Sequence, residues 1–123
     1  MKILIVEDEK ALSEVLSDEF ESHDFKVEVA EDGEEALEKV KSFGPDLILL
    51  DLLLPKKDGF EVLETIKADQ KLKAIPVIIL SNLGQDEEIK RGLLLGAKDY
   101  FVKTQHPLKE VVEKVKHYLI KSR

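Results

Sequence analysis

The stretch DLILLDLLLPKKDG, residues 46–59, places Asp51 between two runs of aliphatic residues. Seven aliphatic side chains flank it, at positions 47–50 and 52–54. Burying a carboxylate without a partner costs so much free energy that the group takes up a proton instead. Positions 47–50 form a continuous apolar run, which is typical of a strand buried on both faces. We therefore expect Asp51 to emerge where a central strand ends and the apolar layer stops.

The composition is that of a globular protein. The 123 residues fit one domain, and 43% of them are hydrophobic and 37% charged. The net charge is −7 and basic residues are not clustered, which argues against direct nucleic-acid binding. The absence of cysteine excludes disulfides and thiol catalysis. The N-terminal apolar run ILIV is too short for a signal peptide or a membrane span, which favours a cytoplasmic location without membrane contact.

Strand-like and helix-like periodicities alternate along the chain. The predicted strands are residues 2–6, 25–30, 46–50, 76–80 and 99–102. Apolar residues at helical spacing predict helices near residues 12–20, 32–44, 58–68, 85–95 and from 107 onward. No linker, repeat or low-complexity segment is present, so we expect one domain over residues 1–123, which could itself be part of a longer protein.

Several residues are typical of helix ends. Asp32 and Asp58 each precede a glutamate by three positions, which is the pattern of a capping box. Gly44 can end the second helix. Pro107 suits the first position of the last helix, where His106 is a predicted cap. In the first helix, Leu12, Val15, Leu16 and Phe20 are predicted to form the apolar stripe.

Alternating strands and helices predict a parallel sheet covered by helices on both faces, with right-handed crossovers. Strands 1, 3 and 4 are continuously apolar and should be central, whereas strand 2 alternates and strand 5 is short. The order 2-1-3-4-5 satisfies these constraints. The predicted fold class is therefore α/β, a flavodoxin-like three-layer sandwich of five β/α pairs. Ligands of such sheets bind beyond the carboxyl ends of the strands, where the order reverses between strands 1 and 3.

Polar residues follow four of the predicted strands directly. Glu7 and Asp8 follow strand 1, Asp51 follows strand 3, Ser81 follows strand 4 and Lys103 follows strand 5. Each residue alone would be read as a cap, a loop residue or a solvated charge. Their coincidence at one edge of a parallel sheet indicates a functional site instead.

Clustered carboxylates repel one another, and a divalent cation removes the conflict. Mg²⁺ suits one or two carboxylates together with water and a phosphate oxygen. Glu7 and Asp8 are adjacent on a loop and are the better ligands, which leaves Asp51 free as a nucleophile towards a phosphoryl group. Lys103 would supply positive charge and Ser81 a hydrogen bond to a phosphoryl oxygen.

Four segments carry a resemblance to a known family: ILIVEDE, DLILLDLLLPKKDG, VIILSN and GAKDYFVK. They resemble, in order and over essentially the whole chain, the motifs of response-regulator receiver domains of two-component signalling, the CheY-like family. The resemblance implies that Asp51 accepts a phosphoryl group from a sensor histidine kinase or a phosphotransfer protein. It implies a phosphorylation-controlled switch that catalyses only its own phosphorylation and dephosphorylation.

The resemblance also implies a ligand set for the metal. Glu7, Asp8 and Asp51 would bind Mg²⁺ through their side chains, and Leu53 through its backbone carbonyl.

The remaining implied roles concern the switch. Ser81 would be the switch hydroxyl, Lys103 the lysine that contacts the phosphoryl group, and Tyr100 the switch aromatic. Ser81 would move towards the new phosphoryl group and Tyr100 would turn inward behind it. The fourth helix, fifth strand and fifth helix would then present the surface for an unknown downstream protein. A monomer or a weak phosphorylation-dependent dimer is implied.

The sequence departs from the family pattern at the active edge. Thr104 follows Lys103 where the family usually has proline joined by a cis bond. A cis bond without proline costs about 3 kcal/mol, so we predict that the Lys103–Thr104 bond is trans. Asn82 follows Ser81 where a small residue is usual, and Leu53 and Leu83 occupy the positions from which polar side chains could orient water. We therefore expect slow loss of the phosphoryl group.

Other proteins of related fold fit less well. A flavodoxin would need a phosphate-cradling loop where this chain has EDEKAL, and a dinucleotide-binding protein would need G-x-G-x-x-G there. A phosphatase of the haloacid dehalogenase type typically has a second aspartate where this chain has Leu53. The remaining alternative is a pseudo-receiver, a binding module that is not phosphorylated. Intact residues at all of the implied acceptor, metal, hydroxyl and lysine positions argue against it.

Overall fold

Five parallel strands and five helices alternate along the chain in the computed structural model, which describes residues 1–121. The strands are β1 (Lys2–Val6), β2 (Lys26–Ala30), β3 (Leu47–Leu50), β4 (Val77–Ser81) and β5 (Asp99–Val102). The helices are α1 (Lys10–Glu21), α2 (Gly33–Phe43), α3 (Gly59–Ala68), α4 (Asp86–Leu94) and α5 (Leu108–Lys121). The sheet order is β2-β1-β3-β4-β5, with every neighbouring pair parallel. The predicted fold class and strand order are confirmed.

Each face of the sheet carries its own hydrophobic cluster, because successive strand residues point to opposite faces. The cluster under α1 and α5 includes Ile3, Ile5, Phe20, Leu47, Leu49, Ile78, Leu80 and Val115. The cluster under α2, α3 and α4 includes Leu4, Val6, Val40, Ile48, Leu50, Ile66, Val77 and Ile79. The three central strands thus contribute to both clusters, as their continuous apolar runs predict. None of the helices within residues 1–121 is long and apolar enough to cross a membrane.

Three strands have boundaries that differ by one residue from the prediction. β2 begins at Lys26 and not at residue 25. β3 begins at Leu47, because the Asp46 carboxylate accepts a hydrogen bond from the Lys2 N–H at 2.8 Å and so anchors the chain before the strand. β4 runs from Val77 to Ser81, so Pro76 lies before the strand and the Ser81 hydroxyl lies on its last residue. These shifts leave Asp51 and Ser81 at the same edge of the sheet.

Asp32 and Asp58 cap α2 and α3 as predicted, but the second bond of a capping box is not formed at either helix, and the Glu35 carboxylate accepts from the Glu31 N–H instead. The Asp32 carboxylate accepts from the Glu35 N–H at 2.8 Å, and the Asp58 carboxylate accepts from the Glu61 N–H at 3.1 Å. Gly44 ends α2 in the left-handed conformation, at φ +65°, which glycine adopts without strain. Capping satisfies N–H groups that have no partner inside the helix. The start of α3 is therefore fixed close behind the loop that follows Asp51.

Predictions for α1 and α5 need correction. Val15 is 54% exposed, so it does not belong to the apolar stripe of α1, whose buried members are Ser13, Leu16 and Phe20. α5 begins at Leu108, one residue later than predicted, because the Pro107 carbonyl accepts the first helical hydrogen bonds.

The role predicted for His106 also changes. Its Nδ1 atom lies 3.2 Å from both the backbone nitrogen and the backbone oxygen of Val102. The ring therefore faces the end of β5 instead of capping α5.

Gly59 allows α3 to begin directly against the backbone of the acidic residue after β3. Its N–H donates to the Leu52 carbonyl at 2.9 Å. A Cβ atom at this position would lie 2.5 Å from the Asp51 carbonyl oxygen and 2.5 Å from the Leu52 Cα. Backbone atoms cannot rotate away as a flexible side chain can, so any larger residue has to displace Asp51 or α3.

We predict that Gly59→Ala lowers the free energy of unfolding by about 2–3 kcal/mol, the cost of inserting a methyl group into a closely packed site. Denaturant-induced unfolding of the metal-free protein measures it. Glu61→Ala is the matched control, because Glu61 is exposed on the same turn and uses only its backbone N–H in the cap. Equal stabilities of the two variants would contradict the role assigned to Gly59.

Candidate functional site

The polar residues singled out in the sequence lie at the carboxyl edge of the sheet. Glu7 and Asp8 follow β1, Asp51 follows β3, Ser81 is the last residue of β4, and Lys103 follows β5. Oxygen atoms of the Glu7, Asp8 and Asp51 carboxylates lie within 4.8 Å of one another. The Lys103 ammonium is in direct contact with two of these groups. The topology therefore brings three acids and one cation into one cluster.

Asp51 is buried, although it lies beyond the end of its strand. Only 4% of the residue is exposed, so the expectation that it emerges from the apolar layer needs correction. Its Oδ2 accepts a hydrogen bond from Lys103 Nζ at 2.9 Å, and its Oδ1 accepts one from the Leu53 N–H at 3.2 Å. A buried carboxylate is stable when it is paired and hydrogen-bonded. The lysine and the backbone of the following loop are thus the partners that the apolar surroundings require.

Glu7 is even less exposed than Asp51, at 2%. Its Oε1 lies 2.8 Å from Lys103 Nζ, and its Oε2 accepts from the Glu9 N–H at 3.1 Å. Burial raises the pKa of Glu7 to about 7, and the charge of Asp51 adds to this effect. The hydrogen bonds from Lys103 and Glu9 oppose the rise without cancelling it.

The pKa of Lys103 is raised as well, which favours its charged form. Burial disfavours its charged form, but the hydrogen bonds to Asp51 and Glu7 outweigh burial and raise its pKa. The ammonium therefore stays charged between the two buried carboxylates.

The donor set fits a hard divalent cation. Three carboxylates face one ammonium, so the cluster carries negative charge that a single lysine does not balance. Asp8 is exposed while Glu7 and Asp51 are buried, which leaves one side of the cluster open to solvent. Carboxylate oxygens combined with water are the ligands that Mg²⁺ prefers. The residues present could therefore hold a metal ion; the contribution of the Leu53 carbonyl stays a prediction.

The family is shown by comparison with known proteins. The model of the response regulator receiver domain matches residues 3–116. The chain belongs to this family. Receiver domains are parts of two-component response regulators and are not classical enzymes.

Individual relatives agree with this assignment. The chain is 43% identical over 123 residues to the alkaline phosphatase synthesis transcriptional regulatory protein PhoP of Bacillus subtilis, covering 98% of this chain and 49% of PhoP. The Francisella response regulator 1452 receiver domain has a TM-score of 0.90 at 30% identity, covering 99% of this chain and 98% of that one. The phosphorylated cyanobacterial phytochrome response regulator RcpA has a TM-score of 0.86 at 33% identity, covering 99% and 95%. The chain thus spans about half the length of PhoP and nearly all of the two solved structures.

The aromatic residue of β5 points inward in this receiver. Tyr100 is 7% exposed, and its hydroxyl donates a hydrogen bond to the Leu83 carbonyl in the loop after β4. Burial raises its pKa to about 12. The Ser81 hydroxyl is fully buried and accepts from the Leu83 N–H at 3.4 Å. Tyr100 thus occupies an inward position in this structure. Its movement behind a phosphoryl group stays a prediction.

Gly92 makes room for the Tyr100 ring, and the sequence analysis missed it. A Cβ atom at Gly92 would lie 3.1 and 3.2 Å from two atoms of that ring and 2.7 Å from the Ile79 Cδ1. Glycine within a helix costs about 1 kcal/mol relative to alanine. The signal in the sequence was a glycine in the middle of the predicted fourth helix, because a glycine there is unfavourable unless a neighbouring group packs too closely for a side chain.

Two leucines near the site differ in their surroundings. Leu53 is 49% exposed, on the loop that directly follows Asp51. Leu83 is half-buried and packs against the cluster under α2, α3 and α4. Leu53 is therefore the more exposed of the two leucines, and the effect of Leu53, Leu83 and Asn82 on the access of water stays a prediction. The peptide bonds of residues 1–121 are all trans, which confirms the prediction for Lys103–Thr104.

We predict that Lys103→Met lowers the free energy of unfolding by about 3 kcal/mol without metal, because two buried carboxylates lose their shared cation. Urea unfolding in the presence of a chelator measures the loss, and addition of Mg²⁺ should restore part of it. Lys90→Met, at an exposed position of α4, is the control. A cost as small as that of the control would show that the ion pairs do not stabilise the fold.

Proposed function

We propose that this receiver accepts a phosphoryl group on Asp51 from a sensor histidine kinase or a phosphotransfer protein, in a reaction that requires Mg²⁺. The observation that carries the proposal is the environment of the Asp51 carboxylate. It lies 2.9 Å from an ammonium and within 4.8 Å of two further acids, at the carboxyl edge of a parallel sheet. Phosphoryl transfer needs such positioning and charge neutralisation more than it needs other protein chemistry.

In the proposed reaction, an oxygen of Asp51 attacks the phosphorus atom of the phosphohistidine. The new oxygen–phosphorus bond forms while the nitrogen–phosphorus bond breaks, and the bonding pair leaves with the imidazole. Glu7, Asp8, Asp51 and the Leu53 carbonyl would hold Mg²⁺, which neutralises charge on the phosphoryl oxygens when bound. Lys103 Nζ, which now contacts Oδ2 of Asp51, would contact a phosphoryl oxygen after transfer.

The Ser81 hydroxyl, on the neighbouring strand, would donate a hydrogen bond to another phosphoryl oxygen. The protein would thus catalyse only its own phosphorylation and dephosphorylation.

The output surface that we propose is formed by α4, β5 and α5. On α4, Leu94 is 87% exposed and Leu93 is 43% exposed, more apolar surface than packing within the domain requires. Exposed apolar side chains that lie together are typical of protein-binding sites. The partner would be a downstream protein or, weakly and after phosphorylation, a second receiver. We infer one domain over residues 1–123, without direct contact to nucleic acid.

We predict that incubation with acetyl phosphate and Mg²⁺ adds one phosphoryl group to the protein, seen as intact mass. Asp51→Asn should abolish the added mass because the nucleophile is gone, and a chelator should abolish it in the parent. Asp58→Asn is the matched control, since Asp58 is an exposed helix cap on the same loop. Phosphorylation that persists in Asp51→Asn, or its absence from the parent, would refute the proposal; the second result would favour a pseudo-receiver.

A second prediction concerns the lifetime of the phosphorylated state. Hydrolysis needs a water molecule in line with the breaking bond, and Leu53 has no polar atom with which to orient it. Leu53→Asn should therefore lose its phosphoryl group faster than the parent, by about threefold to tenfold if one hydrogen bond orients the water.

The decay of the phosphorylated mass at fixed Mg²⁺, after removal of the donor, measures this lifetime. Leu94→Asn, an equally large change at an exposed leucine of α4, is the control. A parent and a Leu53→Asn variant that decay at the same rate would eliminate Leu53 as a determinant of the lifetime.

A further inference from the structure

The connection between β5 and α5 folds back onto the last residue of β5. The N–H groups of Gln105 and His106 both donate to the Val102 carbonyl, at 2.9 and 3.1 Å. The His106 side chain approaches the same residue, with Nδ1 3.2 Å from the Val102 nitrogen. Its ring also packs edge-on against Phe101, with the ring centres 5.1 Å apart. One histidine therefore contacts the end of β5 through its backbone, its ring nitrogen and the packing of its ring.

The geometry of the contact is that of a hydrogen bond from the Val102 N–H to Nδ1. It forms in the tautomer whose proton is on Nε2, because Nδ1 is then an acceptor. In that form Nδ1 cannot also donate to the Val102 carbonyl, which is already satisfied by two backbone N–H groups. The histidine therefore acts as an acceptor for a backbone N–H at the end of an edge strand.

Lys103 is the residue that follows Val102. Its own N–H donates to the Ser81 carbonyl at 2.9 Å, which fixes its backbone on the side of β4. His106 fixes the preceding residue. A long, flexible side chain reaches two carboxylates at 2.8 and 2.9 Å only while its Cα is held in place.

We propose that His106 is a positioning residue for Lys103. Its Nδ1 holds Val102, and thereby the start of the Lys103 side chain, so that the ammonium meets the carboxylates of Glu7 and Asp51. The resulting effect on phosphorylation rests on the proposed function of Asp51, whereas the effect on the ion pairs does not. His106 touches no reacting atom and acts only through Lys103.

Two substitutions distinguish the effect of the ring nitrogen of His106 from the effect of its packing. His106→Phe keeps the packing against Phe101 but has no acceptor. His106→Asn loses the ring but places Oδ1 close to the position of Nδ1, where it can accept from the Val102 N–H. Phosphorylation by acetyl phosphate should slow about tenfold in His106→Phe, because a displaced catalytic group loses its alignment. His106→Asn should restore a rate close to that of the parent.

A double-mutant cycle that combines His106→Phe with Lys103→Met tests whether the effect of His106 depends on the lysine. In metal-free protein, His106→Phe should shift the denaturant midpoint clearly when Lys103 is present and much less in the Lys103→Met background. This measurement needs no phosphorylation, so it remains decisive even if Asp51 proves not to be an acceptor. His106→Leu replaces His106→Phe should the latter not fold.

Equal shifts in both backgrounds would overturn the proposal, because a purely structural histidine stabilises the fold with or without Lys103. A rate for His106→Asn as slow as that for His106→Phe would also overturn it. A parent that is not phosphorylated, together with clear coupling between His106→Phe and Lys103→Met, would instead count against the proposed function while supporting the link between His106 and Lys103.

Discussion

The ammonium of Lys103, held between the carboxylates of Glu7 and Asp51, is the interaction on which the site depends. All three side chains lie in a region of low exposure, where an unpaired charge would be strongly destabilising. Their pairing explains how an acid can follow a fully apolar strand. It also leaves the cluster unbalanced, because Asp8 adds a third carboxylate. The same arrangement that permits burial of Asp51 therefore creates the demand for a cation at the open side.

The fold supplies the precision that this pairing needs. Parallel strands end at one edge, so residues distant in sequence come together without any long loop. Gly59 lets the start of α3 press against the Asp51 backbone, and the Asp58 cap fixes that start. On the other side, the Lys103 N–H is bound to the Ser81 carbonyl of β4. Both partners of the ion pair are thus held by backbone contacts, which cost no side-chain entropy at the moment of reaction.

The strand order and the edge residues followed from the sequence because both depend on simple periodicity. Continuous apolar runs predicted the central strands, and polar residues directly after them predicted the site. The burial of Asp51 could not be predicted, because it depends on how closely α3 packs against the chain after β3. Gly59 permits this close packing, but a glycine in a sequence does not by itself indicate it. The exposure of Val15 was not predicted for a similar reason. Helical spacing shows which residues share a face of the helix, but it does not show how wide the buried part of that face is. The orientation of His106 depends on a turn that returns to Val102, and no periodicity encodes that turn.

The inward position of Tyr100 is held by two contacts, which join β5 to α4 and to the loop after β4. Gly92 leaves room for the ring, and the Leu83 carbonyl accepts a hydrogen bond from the hydroxyl. A ligand shifts an equilibrium only by its differential affinity for the two states. A phosphoryl group on Asp51 would add about −1.5 to −2 charge beside Lys103, whose ammonium contacts this carboxylate. We therefore expect the added charge to act first on Lys103 and on the connection between β5 and α5, which borders the proposed output surface.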